Sequence, residues 1–340
     1  MIKDVIKKID EIATSDPDRI AYDYLGQTNT YGDLKKRSDA WAYKIASLDI
    51  PDKAPIMIWG GQNFEMVASF LGCVKSGHAY IPIASYSNAE RLTMIQDVSK
   101  SEVVLAIDEL PDIDLNGVQV VKPDEVEDGN YDIDEKNFVE DDDNFYIIFT
   151  SGTTGKPKGV QISHKNLLSF VNWELTDFDL PENPSFLAQA PYSFDLSVMS
   201  LYPALVAGGK LVVLPHDVTQ NFAQLFATLP KLQFNVWVST PSFAQMCFLD
   251  RTFDGEHHPD LTHFLFCGEE LPHSEAAMLK KKFPNSHIFN TYGPTETTVA
   301  VTQVEITDEV LEKYDRLPIG RAKEDTRITI DTSKGDKPGE

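Results

Sequence analysis

The chain has 340 residues, 42% hydrophobic and 24% charged, with a net charge of −23. That composition supplies a large apolar core, and its negative balance is the opposite of a nucleic-acid footprint. No run of eighteen apolar residues offers a membrane span. Met1–Thr14 is charged from Lys3 onward and lacks the apolar stretch of a signal peptide, so a cytoplasmic location is expected.

Ile2, Val5, Ile6, Ile9 and Ile12 recur at helical spacing and open the chain with an amphipathic helix, which ends at Asp16-Pro17-Asp18. Ile20–Tyr24 followed by Gly26–Asn29 reads as a strand and a hairpin turn. A second helix starts at Thr30. Pro55–Trp59 and Tyr80–Ile83 read as strands around a helix over Phe64–Lys75 that Gly77 closes. Ser87 and Glu90 are placed for a capping box on the next helix. Val103–Ala106 and Val118–Val121 are short strands. From Tyr146 onward strands alternate with helices to Thr291, which predicts an α/β fold of parallel or mixed sheets flanked by helices. Ligands of such sheets bind beyond the carboxyl ends of the strands.

Two features point away from chemistry. Cys73, Cys247 and Cys267 are far apart and form no CxxC pair, so neither a disulfide framework nor a zinc site is expected. Between Asp108 and Asp143 stand 15 acidic residues against two lysines, which reads as a solvated edge region.

The chemistry concentrates in Tyr146–Val160, YIIFTSGTTGKPKGV. A buried-strand signal, Tyr146–Phe149, breaks into a loop of Thr150, Ser151, Gly152, Thr153, Thr154, Gly155, Lys156, Pro157 and Lys158. Glycines let the backbone approach a ligand, consecutive N–H groups form an anion nest, and lysines neutralise phosphate charge. The spacing is not that of a Walker A loop, which needs Gly-Lys-Ser/Thr after four residues. A second cluster, Asn290-Thr291-Tyr292-Gly293-Pro294-Thr295-Glu296, follows the strand signal at His287–Phe289. Tyr292 can stack on a purine, Gly293-Pro294 makes a tight turn, and Glu296 is a hard oxygen ligand suited to Mg²⁺ beside phosphate. Ser163 and His164 read as a helix start, and there is no Gly-x-Ser-x-Gly nucleophile elbow.

Together these motifs resemble those of the adenylate-forming superfamily. Thr30–Leu34 and Lys75–Ile83 resemble two further core motifs, both read as structural. The resemblance implies ATP and Mg²⁺, with Thr150–Gly155, Gly268, Glu269 and Asn290–Thr295 around the nucleotide, Lys158 and Glu296 catalytic, and Glu296 on the metal. In the amino-acid-activating branch, the Asp matching Asp195 in Phe194-Asp195-Leu196-Ser197 pairs with the substrate ammonium; read alone, that Asp is also a plausible helix cap. The stretches Ser193–Gly209, Phe264–Pro272 and Asn290–Thr302 resemble the ligases that charge a phosphopantetheinylated D-alanyl carrier protein with D-alanine for teichoic acids. That resemblance implies that Cys267 and Val299 line the amino-acid pocket and that Thr298 and Val299 continue the strand at Tyr292 into it.

The same resemblance divides the chain into lobes at 1–185 and 186–300, with residues 301–340 opening a further, incomplete subdomain. It also implies a longer enzyme: a ribose-binding Asp and a small C-terminal domain with a catalytic Lys have no counterpart here, and residues 1–340 alone are expected to turn over poorly. Two other readings stay open, a peptide-synthetase-type adenylation domain for another amino acid and a nucleotide-binding module without turnover.

Overall fold

The computed structural model describes residues 1–115, 117–150 and 157–329. Helix α1 (Val5–Ser15) buries Val5, Ile6, Ile9 and Ile12 on one face, and Asp4 caps it by accepting from the Lys7 N–H at 2.9 Å. Helix α2 (Tyr31–Ala46) opens on a full capping box, Thr30 with Asp33. The Tyr31 hydroxyl then donates to the carbonyls of Leu205 and Gly209 at 2.9 and 2.8 Å. The Thr30–Leu34 motif is therefore a helix start tied to a distant loop. Helix α3 (Phe64–Lys75) ends at Gly77, whose φ of +88° suits glycine. Helix α4 (Ala89–Ser99) departs from expectation. Its cap is Asn88, which accepts from the Arg91 N–H at 2.9 Å, and the Ser87–Glu90 box does not form because the helix begins one residue later. Helix α5 (His164–Asp177) starts on a Ser163–Asn166 box, and His164 Nε2 accepts from the Val5 N–H at 3.2 Å.

The strands in chain order are β1 (Ile20–Tyr24), β2 (Gln27–Thr30), β3 (Ile56–Gly60), β4 (Tyr80–Ala84), β5 (Val103–Ala106), β6 (Gln119–Val121), β7 (Asn144–Thr150) and β8 (Lys158–Ser163). They continue with β9 (Ser185–Ala188), β10 (Lys210–Val213), β11 (Val236–Ser239), β12 (His263–Phe266), β13 (His287–Tyr292), β14 (Thr302–Glu305) and β15 (Arg321–Ala322). The first hairpin turns at Leu25-Gly26, both left-handed, and not over Gly26–Asn29, because Gln27–Asn29 already pair with β1.

Two mixed sheets result. One runs β6-β5-β3-β4-β7-β8, parallel except for β8. The other runs β15-β14-β13-β12-β11-β9-β10-β1-β2, with β2 antiparallel to β1, β14 antiparallel to β13 and β15 antiparallel to β14. Sheet membership does not follow the expected boundaries at 185 and 300. The early hairpin joins the second sheet, because Tyr22 pairs with Leu211 and Tyr24 with Val213. At the other end, Thr302–Glu305 extends that sheet by pairing with β13.

Alternation along the strands sorts side chains between cores. Ile56, Ile58, Tyr146 and Ile148 of the smaller sheet share one apolar cluster with Phe186, Val213, Val238 and Leu265 of the larger. Met57, Trp59, Ile81 and Phe149 point to the opposite face, as do Leu187, Val212, Trp237 and Phe264 of the larger sheet. Within the shared core lies a charge. Lys75, at the end of α3, is fully buried and donates to Asp10 of α1 at 2.7 Å and to Asp39 and Ser38 of α2 at 2.6 and 3.0 Å.

Candidate active site

The expected phosphate loop joins two strands of a hairpin. Thr150 ends β7, Lys158 opens β8, and the two are register partners. Ser151, Gly152, Thr153, Thr154, Gly155 and Lys156 lie outside the described residues. Lys158 therefore belongs to a strand, where its side chain is exposed. Gly159 serves packing: a Cβ there would come within 2.9 Å of the Phe149 ring. Arg91 of α4 donates to the Phe149 carbonyl at 2.8 Å, fixing the strand end that enters the loop.

β13 carries the second motif, and its residues divide in role. The Asn290 side chain donates to the Pro318 carbonyl at 2.8 Å, and the Thr291 hydroxyl donates to the Phe266 carbonyl at 2.8 Å; both residues are buried. The expectation that both face a nucleotide meets side chains already committed to the backbone. Tyr292 stands at the strand end with half its surface exposed. Gly293 admits no side chain, since a Cβ would lie 2.5 Å from the Ala300 Cα. A single 3₁₀ turn, Thr295–Thr297, presents exposed Glu296 and packs against β8, so the strand of Lys158 and the turn of Glu296 are neighbours.

Beyond the turn the backbone does not continue as a strand. Thr298 and Val299 adopt φ of 63° and 66°. A β-branched residue there is strained, and such strain collects at ligand clamps. Val299 is buried, and its carbonyl faces Cys267 Sγ at 3.6 Å.

A cavity of about 870 Å³ opens at the carboxyl ends of β9, β11, β12 and β13. Asp195, Thr240, Gly268, Glu269, Gly293 and Thr295 help to line it, and no Lys or Arg is among its described lining residues. Glu269 is occupied: it accepts from the Ser242 N–H at 3.2 Å and the Ser242 hydroxyl at 3.0 Å. Asp195 opens a short 3₁₀ turn whose cap position is held by Phe194, so it is no helix cap. Burial raises its carboxyl pKa above the ordinary value; the nearby Thr295 side chain opposes that rise, and Glu296 adds to it. A carboxylate that is desolvated and lacks a cation favours a positively charged ligand.

Cys267 is buried just beneath Gly268, with its thiol pushed upward by burial and by the nearby Asp195 charge. It lies behind the cavity wall, next to Val299. Cys73 and Cys247 are buried core thiols, and burial pushes Cys247 up to about 12.

The outer wall was not foreseen. Tyr86, after β4, stacks on His216, after β10, with ring centroids 3.7 Å apart and planes within 8°, and Phe194 and Phe222 stand exposed beside them. Phe194 adjoins Asp195 and could have been singled out. Tyr86 follows β4 and His216 opens a short helix after β10, and only the fold brings them together.

Residues 9–340 match the family model described as AMP-binding enzyme. The chain belongs to the AMP-binding enzyme family. It is 56% identical to the D-alanine–D-alanyl carrier protein ligase of Lactiplantibacillus plantarum, over 99% of this chain and 67% of that protein. The ligase of the same name from Streptococcus pneumoniae is 48% identical, over 99% of this chain and 66% of that protein. This AMP-binding enzyme thus spans about two thirds of the length of those curated relatives. A four-domain nonribosomal peptide synthetase, holo-AB3403, solved with AMP and glycine, is similar with a TM-score of 0.79 and 26% identity, over 94% of this chain and 22% of that one. The N-terminal subdomain of Klebsiella oxytoca NpsA shares the fold, with a TM-score of 0.80 at 20% identity, over 95% of this chain and 81% of that one. No helix among the described residues is long and apolar enough to cross a membrane.

Proposed function

We propose that this chain activates D-alanine with ATP and passes the D-alanyl group to the phosphopantetheine thiol of a D-alanyl carrier protein, in the cytoplasm, for D-alanylation of teichoic acids. The carrying observation is Asp195, a partly buried carboxylate in a cavity where no Lys or Arg is among the described lining residues. Relatives at 48–56% identity bear the matching name. The reading as a peptide-synthetase domain for another amino acid would share Asp195 and differ in the side-chain pocket.

In this reading Asp195 holds the substrate ammonium, and Cys267 with Val299 bounds the space beside the methyl group. The amino-acid carboxylate oxygen bonds to the α-phosphorus as the bond to the bridging oxygen breaks and pyrophosphate departs. The carrier thiol then bonds to the acyl carbon and AMP leaves. No side chain becomes a covalent nucleophile, so the residues act by positioning and by charge.

Gly268, Glu269, Tyr292 and Gly293 bound the purine, and Lys158 approaches the phosphates beside the loop Thr150–Gly155. Glu296 would hold Mg²⁺. Among the described residues no group of three or more His, Cys, Asp or Glu could cage a metal. A lone exposed carboxylate suits an ion that takes its other ligands from phosphate and water. When bound, the ion neutralises phosphate charge.

ATP–pyrophosphate exchange by the full-length protein over a panel of amino acids tests the reading. D-Alanine should give the highest kcat/KM. A preference for another amino acid would move the chain to the peptide-synthetase reading, and no exchange with any of them would leave a nucleotide-binding module.

A further inference from the structure

Where the cavity meets solvent, its lining turns aromatic. Phe194, Phe222 and Tyr86 are 61, 53 and 46% exposed, and Phe243 and Met246 belong to the same lining. Two of these rings come from different sheets: Tyr86 follows β4 of the smaller sheet, and His216 follows β10 of the larger. The turn that carries Tyr86 is tied down. The Ser85 N–H donates to the Gly60 carbonyl at 3.2 Å, the Ser87 N–H to the Ala84 carbonyl at 2.9 Å, and the Ser85 hydroxyl to Asp108 at 2.6 Å. Asp108 also accepts from the Gly61 N–H at 2.7 Å, so the ends of β3, β4 and β5 share one anchor. On the other side, the Leu214 N–H donates to the Ala188 carbonyl at 3.1 Å. The Thr219 hydroxyl and the Gln220 N–H donate to the His216 carbonyl at 2.8 and 3.0 Å. Two anchored backbones thus hold the rings face to face, with centroids 3.7 Å apart. That spacing is van der Waals contact and leaves no room for a water molecule between the planes.

We propose that the Tyr86–His216 stack seals the seam between the two sheets beside the cavity and keeps water from the acyl-adenylate. The proposal rests on the reading of the chain as an amino-acid-activating enzyme. An acyl-adenylate is a mixed anhydride, and it has to survive from its formation until the carrier thiol arrives. Water is the competing nucleophile. Its oxygen would bond to the acyl carbon, the bond from that carbon to the phosphate oxygen would break, AMP would leave with the electron pair, and a proton would pass to solvent. Excluding water from a site prevents this loss of a reactive intermediate. Stacked rings suit the task, because their faces are apolar and offer water no partner across the contact. Their role is exclusion rather than chemistry.

The test measures two rates in the full-length protein. ATP–pyrophosphate exchange with D-alanine reports formation of the adenylate. Release of AMP with D-alanine and pyrophosphatase, without carrier protein, reports its loss. Tyr86→Ala and His216→Ala should each raise AMP release about two- to tenfold, the range that one aromatic contact controls. Exchange should stay close to wild type, which also shows that the variants are folded. The double variant should leak no more than the leakier single one, since a seal is lost only once. Tyr86→Phe and His216→Phe keep a ring and should release AMP as slowly as wild type.

Unchanged AMP release in both alanine variants would overturn the proposal. So would additive leakage in the double variant, phenylalanine variants as leaky as the alanine ones, or a change in exchange equal to the change in AMP release. Intact adenylate in an ultrafiltrate would mean escape of the intermediate rather than entry of water, and would overturn it as well. Failure of wild-type protein to exchange with D-alanine would sink the substrate reading alone, and the comparison would then run with whichever amino acid exchanges. Exchange with no amino acid would overturn both.

Discussion

Two acidic sites within one fold show how buried charge divides between structure and function. Asp10 and Asp39 meet Lys75 at 2.7 and 2.6 Å, and Lys35 donates to the same carboxylates at 3.2 and 2.8 Å. Two carboxylates face two ammonium groups, and three helices are pinned at their crossing. Asp195 is the counterpart: it sits beyond a strand end, desolvated, beside Glu296, and no Lys or Arg is among the described residues that line its cavity. A saturated network has nothing left to offer a ligand. An unsaturated carboxylate in a cavity is poised for a cation, and its ionisation works against folding until that cation arrives.

The largest expected effect falls on the saturated site. Lys75→Met should destabilise the protein by about 3–5 kcal/mol, the scale for breaking a buried pair and leaving its partner charges behind. Chemical denaturation with the linear extrapolation would measure it. Lys35 remains to hold part of the network, so a loss under about 1 kcal/mol would mean that the pairing contributes little and would weaken the contrast.

Asp195→Ala should leave folding intact and cost D-alanine activation about 1.5–3 kcal/mol or more, the range for losing a charge-assisted contact. ATP binding should persist, as read by calorimetry. Unchanged exchange kinetics would remove Asp195 from the amino-acid site.

Cys267→Ala and Cys267→Ser should alter the D/L preference of exchange by about tenfold or less, in line with a change of one small group in a pocket. A ratio unmoved by both would place chiral selection elsewhere.

The smallest effect concerns stability against pH. The Asp195 carboxyl pKa is raised by burial. The folded form therefore holds its proton to higher pH than the unfolded chain does, and stability falls as pH rises from the ordinary aspartate value through the raised one. Asp195→Asn should remove that loss and stabilise the protein near neutral pH by about 1 kcal/mol, as replacing a functionally constrained residue often does. A destabilised variant would show that Asp195 is a structural group.

Much of this contrast was visible in the residues themselves. The helix starts at Thr30 and Ser163 and the stop at Gly77 after α3 are local devices whose partners lie within a few positions, so they read correctly or nearly so. The strand-end placement of Thr150, Gly268 and Tyr292 followed from apolar runs broken by glycine. What stayed hidden depended on distant contacts. Lys75 looked like one more motif residue until Asp10 and Asp39 arrived from other helices. Asn290 and Thr291 carry ligand-like side chains, yet Pro318 and Phe266 claim them. The Tyr86–His216 stack joins residues 130 positions apart with no shared motif. The left-handed turn at Thr298 and Val299 violates local preference, and such violations are where local rules lose to a site.

The most direct test of the contrast uses two substrates that differ in one group. D-Lactate replaces the ammonium of D-alanine with a hydroxyl at nearly the same volume. Adenylate formation by the full-length protein would be measured with each substrate, for wild type and Asp195→Asn. If Asp195 reads the ammonium charge, wild type favours D-alanine by about 10²-fold or more, since a site built for a charged group rejects the analogue lacking it, and the ratio collapses in Asp195→Asn. An unaltered D-alanine to D-lactate ratio in the variant would contradict the assignment of Asp195 as the cation-seeking carboxylate.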